Sequence, residues 1–548
     1  MSSTSLLKDT SKAQEINIDG ESGVDLESLR YGSFSSLRTA ELLELGSQEL
    51  DNEVPQGRHL GVFSTVVLFV SRIVGSGIFA TPSSIFVNCG GNMVLFFGVW
   101  FVAALMAFAG LYLFLEFGCL LPKSGGRKNF LEAVYDRPKL MTSVTFATYT
   151  VLTGFSVSNA IVFGKYTLYA LGFDEDFVNN RSKACNYIGA LLVMTVVFIH
   201  GVSVRHGIFL QNFLGALKLL LIAIMSFTGV YALCFYRTEG NQSPELPISA
   251  NNLHDFSSVS SSSLTTAFIQ AFFCFAGWDS VHSVASEIKN PVRTFKIAGP
   301  LSLIIALLCY LSLNLAYVRV LSYEEFKNAG PLVGSILFSK LFGQKLGRQF
   351  VTLSIALSAG SNLFVVIYSL SRMNQECFRE GYLPFSNFMA SNKPWGAPLP
   401  SLLCCGLITT TWLILLPSSG DAYNYLVSME SYANQFFLLL VAIGLIIYRK
   451  RYPERVAEIQ ASLVGVFGII LLSCYLVVGP FIGEQKENTI HWLPSYQITA
   501  ILIIAACFCF WLVKFVLLPT IMGYNLKAEL IILDDGLVVK QWYAQKNE

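Results

Sequence analysis

Ser76 stands between Gly75 and Gly77 in the string RIVGSGIFA, residues 72 to 80, inside an apolar stretch that runs from Leu60 to Val87. Glycine in a helix interior costs roughly 1 kcal/mol against alanine, so this pair marks a place where a helix can come apart. Unwound backbone in hydrocarbon is tolerated only where protein buries it or a cavity receives it. The half-helix starting at Ile78 would aim free N–H groups and the positive end of its dipole at an anion such as a carboxylate, with the Ser76 hydroxyl as a further donor. The competing reading is a glycine notch where two helices pack. A second interruption, CFAGW, places Gly277 in another apolar run between Cys274 and Trp278.

Ionisable side chains also occur at apparent membrane depth, where charge is costly and marks function or a buried pair. Arg72, one turn before the first break, would either tether its span or bias the site electrostatically. Asp279 and His282, three residues apart on one helical face, read equally as a proton relay or as a structural hydrogen bond between helices. Glu116 and Glu287 lie near span ends, with Lys123, Arg127, Lys289 and Arg293 as salt-bridge partners, and suit an inner gate. Lys165 and Glu430 acquire no role from the sequence. No GxxxxGK[ST], HExxH or GxSxG string occurs, so an ATP motor, a zinc protease and a serine hydrolase lack their signatures. The 12 cysteines follow no metal spacing and sit mostly in apolar runs as packing residues. No enzyme, cofactor, metal or nucleic-acid partner is expected.

The elements that would hold these residues follow from hydropathy. The 548 residues are 53% hydrophobic and 13% charged, and apolar runs of membrane length recur, which makes this an integral, all-α membrane protein in contact with lipid. Residues 1–58 carry eleven acidic and five basic residues and no apolar run, the profile of a disordered tail. Residues 1–58 hold no basic stretch followed by an apolar core, so no cleaved signal peptide is expected. Twelve spans are expected, at about 61–87, 92–121, 140–171, 185–201, 207–236, 264–287, 297–321, 347–373, 399–416, 422–448, 462–482 and 495–518. The connections on the side of the N-tail hold sixteen basic residues against nine opposite, so both termini are expected in the cytosol. The sequons at Asn180 and Asn241 then fall in external loops. Spans 1 and 6, both interrupted by glycine, are corresponding members of two five-span units, the sequence pointer to an inverted repeat with a site at the midplane.

At this point a resemblance is specific. GSGIFATP (Gly75 to Pro82), LEFGCLLPKSGG (Leu115 to Gly126), FFCFAGWDSVHSVASEIKNPVRTFKIA (Phe272 to Ala298) and SRMNQECFREGYLP (Ser371 to Pro384) resemble the L-type amino acid transporter branch of the APC superfamily, most closely the fungal methionine permeases. The match covers about residues 60 to 450. It implies a leucine-transporter-like fold with a ten-helix core over 59–448, helices 11 and 12 over 449–518 and a cytosolic C-tail over 519–548. The activity it implies is import of methionine, with cysteine and other neutral amino acids as alternatives, by alternating access, proton-coupled or by exchange.

A zwitterion needs donors for its carboxylate and acceptors for its ammonium in a dry site. By similarity the donors are the N–H groups of Ser76 and Gly77 next to Gly75 and Ile78. The acceptors are carbonyls freed at the breaks, those of Ile73, Phe273 and Ala276, with Gly277 completing the second break. The resemblance makes Phe273 the aromatic gate and has Cys274 and Phe275 shape the side-chain pocket, which suits a polarizable thioether. It also sets Lys218 beside span 1, where sodium-driven relatives hold a cation, either as a titrating group or as a fixed charge. Lys8 and Lys12 resemble the tail lysines through which fungal permeases are ubiquitinated by a ligase adaptor and leave the plasma membrane. A non-transporting receptor on the same fold and a broad-range neutral amino acid exchanger are the alternatives.

Overall fold

The computed structural model describes residues 61–546 apart from 122–125, 179–182, 236–258, 279–290, 418–419, 483–492 and 534. Among these, nine helices are long and apolar enough to cross a bilayer, and one bent helix pair makes up to ten. The tail at 1–58, both sequons, Lys8, Lys12, Asp279, His282 and Glu287 lie outside the described residues.

The first span is built from three pieces, α1 (Val62–Ile73), α2 (Gly77–Ala80) and α3 (Pro82–Asn88). Val74 to Ser76 leave the helix, and a bend of 60° follows between Ala80 and Pro82. Proline at the first position of α3 has no N–H to continue the ladder, so the axis turns there and not at the glycines. α4 (Met93–Leu120) starts on Asn92, whose side chain accepts from the Leu95 N–H at 3.1 Å. The short α5 (Arg127–Val134) leads to α6 (Met141–Thr153) and α7 (Val157–Ala170), which cross as one span. α8 (Ala184–Val202), α9 (Val204–Cys234) and α10 (Ser261–Cys274) follow, and α10 stops at the second break, where Gly277 takes a φ of +113°. The remainder of that span lies outside the described residues.

α11 (Pro291–Val320), α12 (Tyr323–Asn328), α13 (Val333–Gly343), α14 (Thr352–Arg379), α15 (Ser386–Ala390), α16 (Leu399–Leu415), α17 (Gly420–Arg451), α18 (Leu463–Val478) and α19 (Tyr496–Trp511) complete the helical part. α16 is apolar but shorter than a bilayer is thick. α1 packs on α11, α11 on α9, α14 on α7 and α9, and α10 on α4 and α17. Both breaks are therefore surrounded by helices, and the apolar core that encloses them includes the fully buried Trp100, Tyr310, Tyr317 and Tyr423.

Hydropathy did not foresee the C-terminal segment, expected as a plain tail. After α20 (Leu518–Met522) it forms an antiparallel hairpin, β1 (Tyr524–Ile532) with β2 (Val538–Lys546), in a register that pairs Tyr524 with Lys546 and Ile532 with Val538. The hairpin is docked on the end of α14. Trp542 Nε1 donates to the Glu380 carbonyl at 3.0 Å, Arg379 Nε to the Val538 carbonyl at 3.1 Å, and the Asn392 N–H to Asp535 at 2.7 Å.

Candidate functional site

The two breaks meet. A Cβ on Gly77 would stand 2.9 Å from Cys274 Sγ and 3.2 Å from Cys274 Cα, and one on Gly277 would stand 3.3 Å from the Arg72 carbonyl oxygen. Only chains without side chains at these positions approach so closely. Gly75, Ser76 and Gly77 are buried, and none of their N–H groups donates to a backbone carbonyl among the described residues. Buried N–H groups are nearly always paired, so three in succession without a backbone partner among the described residues stand out.

The carbonyl side of the same breaks is served by tyrosines that the sequence reading passed over. Tyr310 Oη lies 3.0 Å from the Ile73 carbonyl and 2.8 Å from that of Cys274, so one hydroxyl spans both breaks. Tyr317 donates to the Ile78 carbonyl at 3.2 Å, and Tyr166 to that of Phe79 at 2.7 Å. A four-residue helix cannot pair its own last carbonyls, which is why hydroxyls from α11 and α7 are needed there. Phe273 accepts from the Ala276 N–H at 3.0 Å. The carbonyls of Ile73 and Phe273, expected to be free, each carry one hydrogen bond and keep a second lone pair.

Ser76 also differs from expectation. Its hydroxyl donates to Asn159 Oδ1 at 2.8 Å, so its proton is held by α7 and its lone pairs are what it offers the site. Asn159 is fixed in turn by Ser156 at 3.1 Å and by Asn362 of α14 at 3.4 Å. Lys218 of α9 joins the same chain of contacts. Its ammonium is 2.5 Å from the Ser71 carbonyl, at the end of α1, and 3.4 Å from Asn362 Oδ1. It therefore sits beside span 1 and donates to a carbonyl that the broken helix leaves over. Tyr423 of α17 was also missed. Its hydroxyl lies beside Ser76 and is buried without a hydrogen-bond partner among the described residues.

Cys274 is buried, with its sulfur 3.0 Å from the Thr81 hydroxyl. Phe273 is half-buried, whereas Phe275 is wholly buried between Trp100 and Tyr310, with ring centroids 6.2 and 5.0 Å away. Arg72 donates to Ser369 of α14 at 2.8 Å, a tether made to a hydroxyl. Glu116 requires a correction. Its carboxylate is gripped by Arg449, at 2.7 Å from Nε and 2.5 Å from Nη2, and by the Ala461 N–H at 2.6 Å. Arg127, one of its expected partners, instead donates to Asn434 of α17 at 2.9 Å. Sequence distance hid Arg449, 333 residues away.

Among the described residues no group of His, Cys, Asp and Glu is arranged to hold a metal ion. What the geometry offers is a run of buried backbone donors at Gly75 to Gly77 close to carbonyl and hydroxyl acceptors, beside a second break whose Ala276 is exposed. Such an arrangement can hold a small molecule that carries both charges.

Comparison with known proteins gives this arrangement a context. A family model described as amino acid permease matches residues 60–507. The chain is 54% identical over 534 residues to the low-affinity methionine permease of Saccharomyces cerevisiae, covering 97% of this chain and 96% of that one. It is 31% identical over 497 residues to the high-affinity methionine permease of the same organism, covering 89% and 85%. The human b(0,+)-type amino acid transporter 1 is 24% identical over 440 residues, covering 79% and 85%.

Proposed function

The chain belongs to the amino acid permease family, and on that premise we propose that it is a secondary carrier importing methionine across the plasma membrane by alternating access. The observation that carries the reading is the run of buried N–H groups at Gly75, Ser76 and Gly77, without a backbone partner among the described residues and set against the Cys274 break. They receive the substrate carboxylate. The Ile73 and Ala276 carbonyls and the Ser76 lone pairs receive its ammonium, Phe273 covers it, and Cys274 faces the thioether. The two named methionine permeases support the substrate. Cysteine and other neutral amino acids are the next candidates.

The scaffold in this reading has twelve spans in a five-plus-five inverted repeat with both termini cytosolic; the shorter apolar helix α16 and the interrupted α10 are the two spans beyond the nine or ten of membrane length. Coupling is to protons. An ammonium on Lys218 stands 2.5 Å from a carbonyl of span 1 and fills the place of a metal cation. Lys8 and Lys12 serve ubiquitin ligase recruitment, and Asn180 and Asn241 serve as external glycosylation acceptors.

The test is uptake of labelled L-methionine in cells lacking their own carrier, at two pH values, with and without sodium, against a panel of competing amino acids. Methionine-selective, acid-stimulated, sodium-independent uptake is the expected result. Binding without flux would overturn the carrier reading in favour of a receptor, and a sodium requirement would overturn the role of Lys218.

A further inference from the structure

Glu430 of α17 takes no part in the scheme above, yet it is placed between the substrate cradle and the cytosolic end of the molecule. Its side chain lines a cavity of about 10 Å³, the space of a single water, together with Tyr149 and Thr153 of α6, Met429 and Ala433 of its own helix, and Ala500 and Ile503 of α19. No hydrogen bond or ion pair joins its carboxylate to another described residue. Glu430 is half-buried, and a lone ionised carboxylate against this apolar lining costs more than the neutral acid.

The helix that carries Glu430 also sets its position in the pathway. Tyr423, seven residues earlier and so on the same face, lies beside Ser76 in the cradle, about 10 Å away along the axis. Asn434, one turn further, is held by Arg127 at 2.9 Å on α5, in the connection between the second and third spans. The titratable groups that face Glu430 are Tyr149 of α6 and Tyr423 of α17, and beyond Tyr149 lie Cys507 of α19 and Arg127 of α5. None of them forms an ion pair with it.

We infer that Glu430 is the proton-binding group of the carrier: its carboxylate takes a proton in the outward-open state, crosses the cycle as the neutral acid beside the loaded cradle, and releases that proton to cytosolic water. Only one O–H bond forms and breaks, and the proton gradient supplies the drive. The inference rests on the proton-coupling reading and goes beyond it by naming the acceptor.

Proteoliposomes holding the purified full chain separate the two. With labelled L-methionine and a gradient of one pH unit, the unsubstituted protein should concentrate substrate up to about tenfold at one proton per molecule. Glu430→Gln, which mimics the neutral acid, should keep methionine counterflow within about twofold while its accumulation ratio falls to about one. Glu430→Asp should keep accumulation, with a displaced pH profile. If the unsubstituted protein fails to accumulate methionine, the proton-coupling reading falls and the assignment with it. Undiminished accumulation by Glu430→Gln overturns the assignment alone. Loss of counterflow and accumulation together in both variants would mark a packing role and overturn it as well.

Discussion

At the scale of single residues, the site is a matter of how closely two backbones approach. Gly77→Ala would push a methyl to 2.9 Å from Cys274 Sγ and 3.2 Å from its Cα, and the sulfur cannot swing away freely because the Thr81 hydroxyl holds it at 3.0 Å. Overpacking of this kind costs about 1–3 kcal/mol, so methionine uptake should fall roughly tenfold or more at unchanged surface abundance. Adding Cys274→Ala should restore part of the loss and not all, because the backbone contact remains. A double variant no better than Gly77→Ala would show that the sulfur contact is not what limits uptake. Tyr310→Phe removes the one hydroxyl shared by the Ile73 and Cys274 carbonyls. It should cost about 1–3 kcal/mol of unfolding free energy in detergent, because two buried acceptors lose their donor. That the helix opens at Gly75 to Gly77 was legible in the sequence as one of two readings, the other being a glycine notch between packed helices. Tyr310, Tyr317, Tyr423 and Asn159 were not. A tyrosine in an apolar helix reads as packing until the helix opposite is seen to have carbonyls to spare.

At the scale of elements, hydropathy placed apolar runs on nine helices of membrane length, or ten with the bent pair, among the described residues, and it located the break in the first span because that run is punctured. The axis itself turns at Pro82 and not at the glycines, because loss of hydrogen bonds and change of direction are separate events. The hairpin β1–β2 escaped because its strands are half-exposed and its apolar partners lie on a distant loop. Its attachment is electrostatic at one point. Glu380 accepts from Lys128 and from Lys540, each at 2.7 Å. Burial alone would raise the Glu380 carboxyl, but the two ammonium groups outweigh it and hold the group down at about 2. A carboxylate depressed in the folded state adds stability that is fully present above its ordinary value, near 4.5, and is lost as the pH falls from there toward 2. Hydrogen exchange of residues 524–546 should therefore stay protected from neutral pH to about 4.5 and lose protection below it. Glu380→Gln should give faster exchange of that segment at pH 7. Unchanged protection in the variant would show that the hairpin is held by Trp542 and Asp535 and not by the Glu380 ion pairs.

For the molecule as a whole, the decisive contacts are those that join parts distant in sequence, and the pair of Glu116 and Arg449 joins three: α4, α17 and the chain before α18. The two partners differ in surroundings, with side-chain exposures of 3% for Glu116 and 27% for Arg449. Breaking a buried pair by removing one partner costs about 3–5 kcal/mol, because the other charge is left uncompensated. The cost should therefore depend on which one is removed. Glu116→Gln leaves a guanidinium that water can reach and that still donates to the Ala461 carbonyl at 2.7 Å. Arg449→Met leaves a carboxylate sealed in the protein with the Ala461 N–H as its remaining partner among the described residues. Arg449→Met should thus be the more destabilising by at least about 1 kcal/mol in detergent unfolding. The double variant Glu116→Gln with Arg449→Met should recover much of the single loss, since no charge is then stranded. Equal costs for the two single variants would mean that water enters this end of the bundle freely. Glu116 would then be a surface residue in energetic terms, and the lock between the second and tenth expected spans would have to be sought in the packing of α4 and α17 themselves.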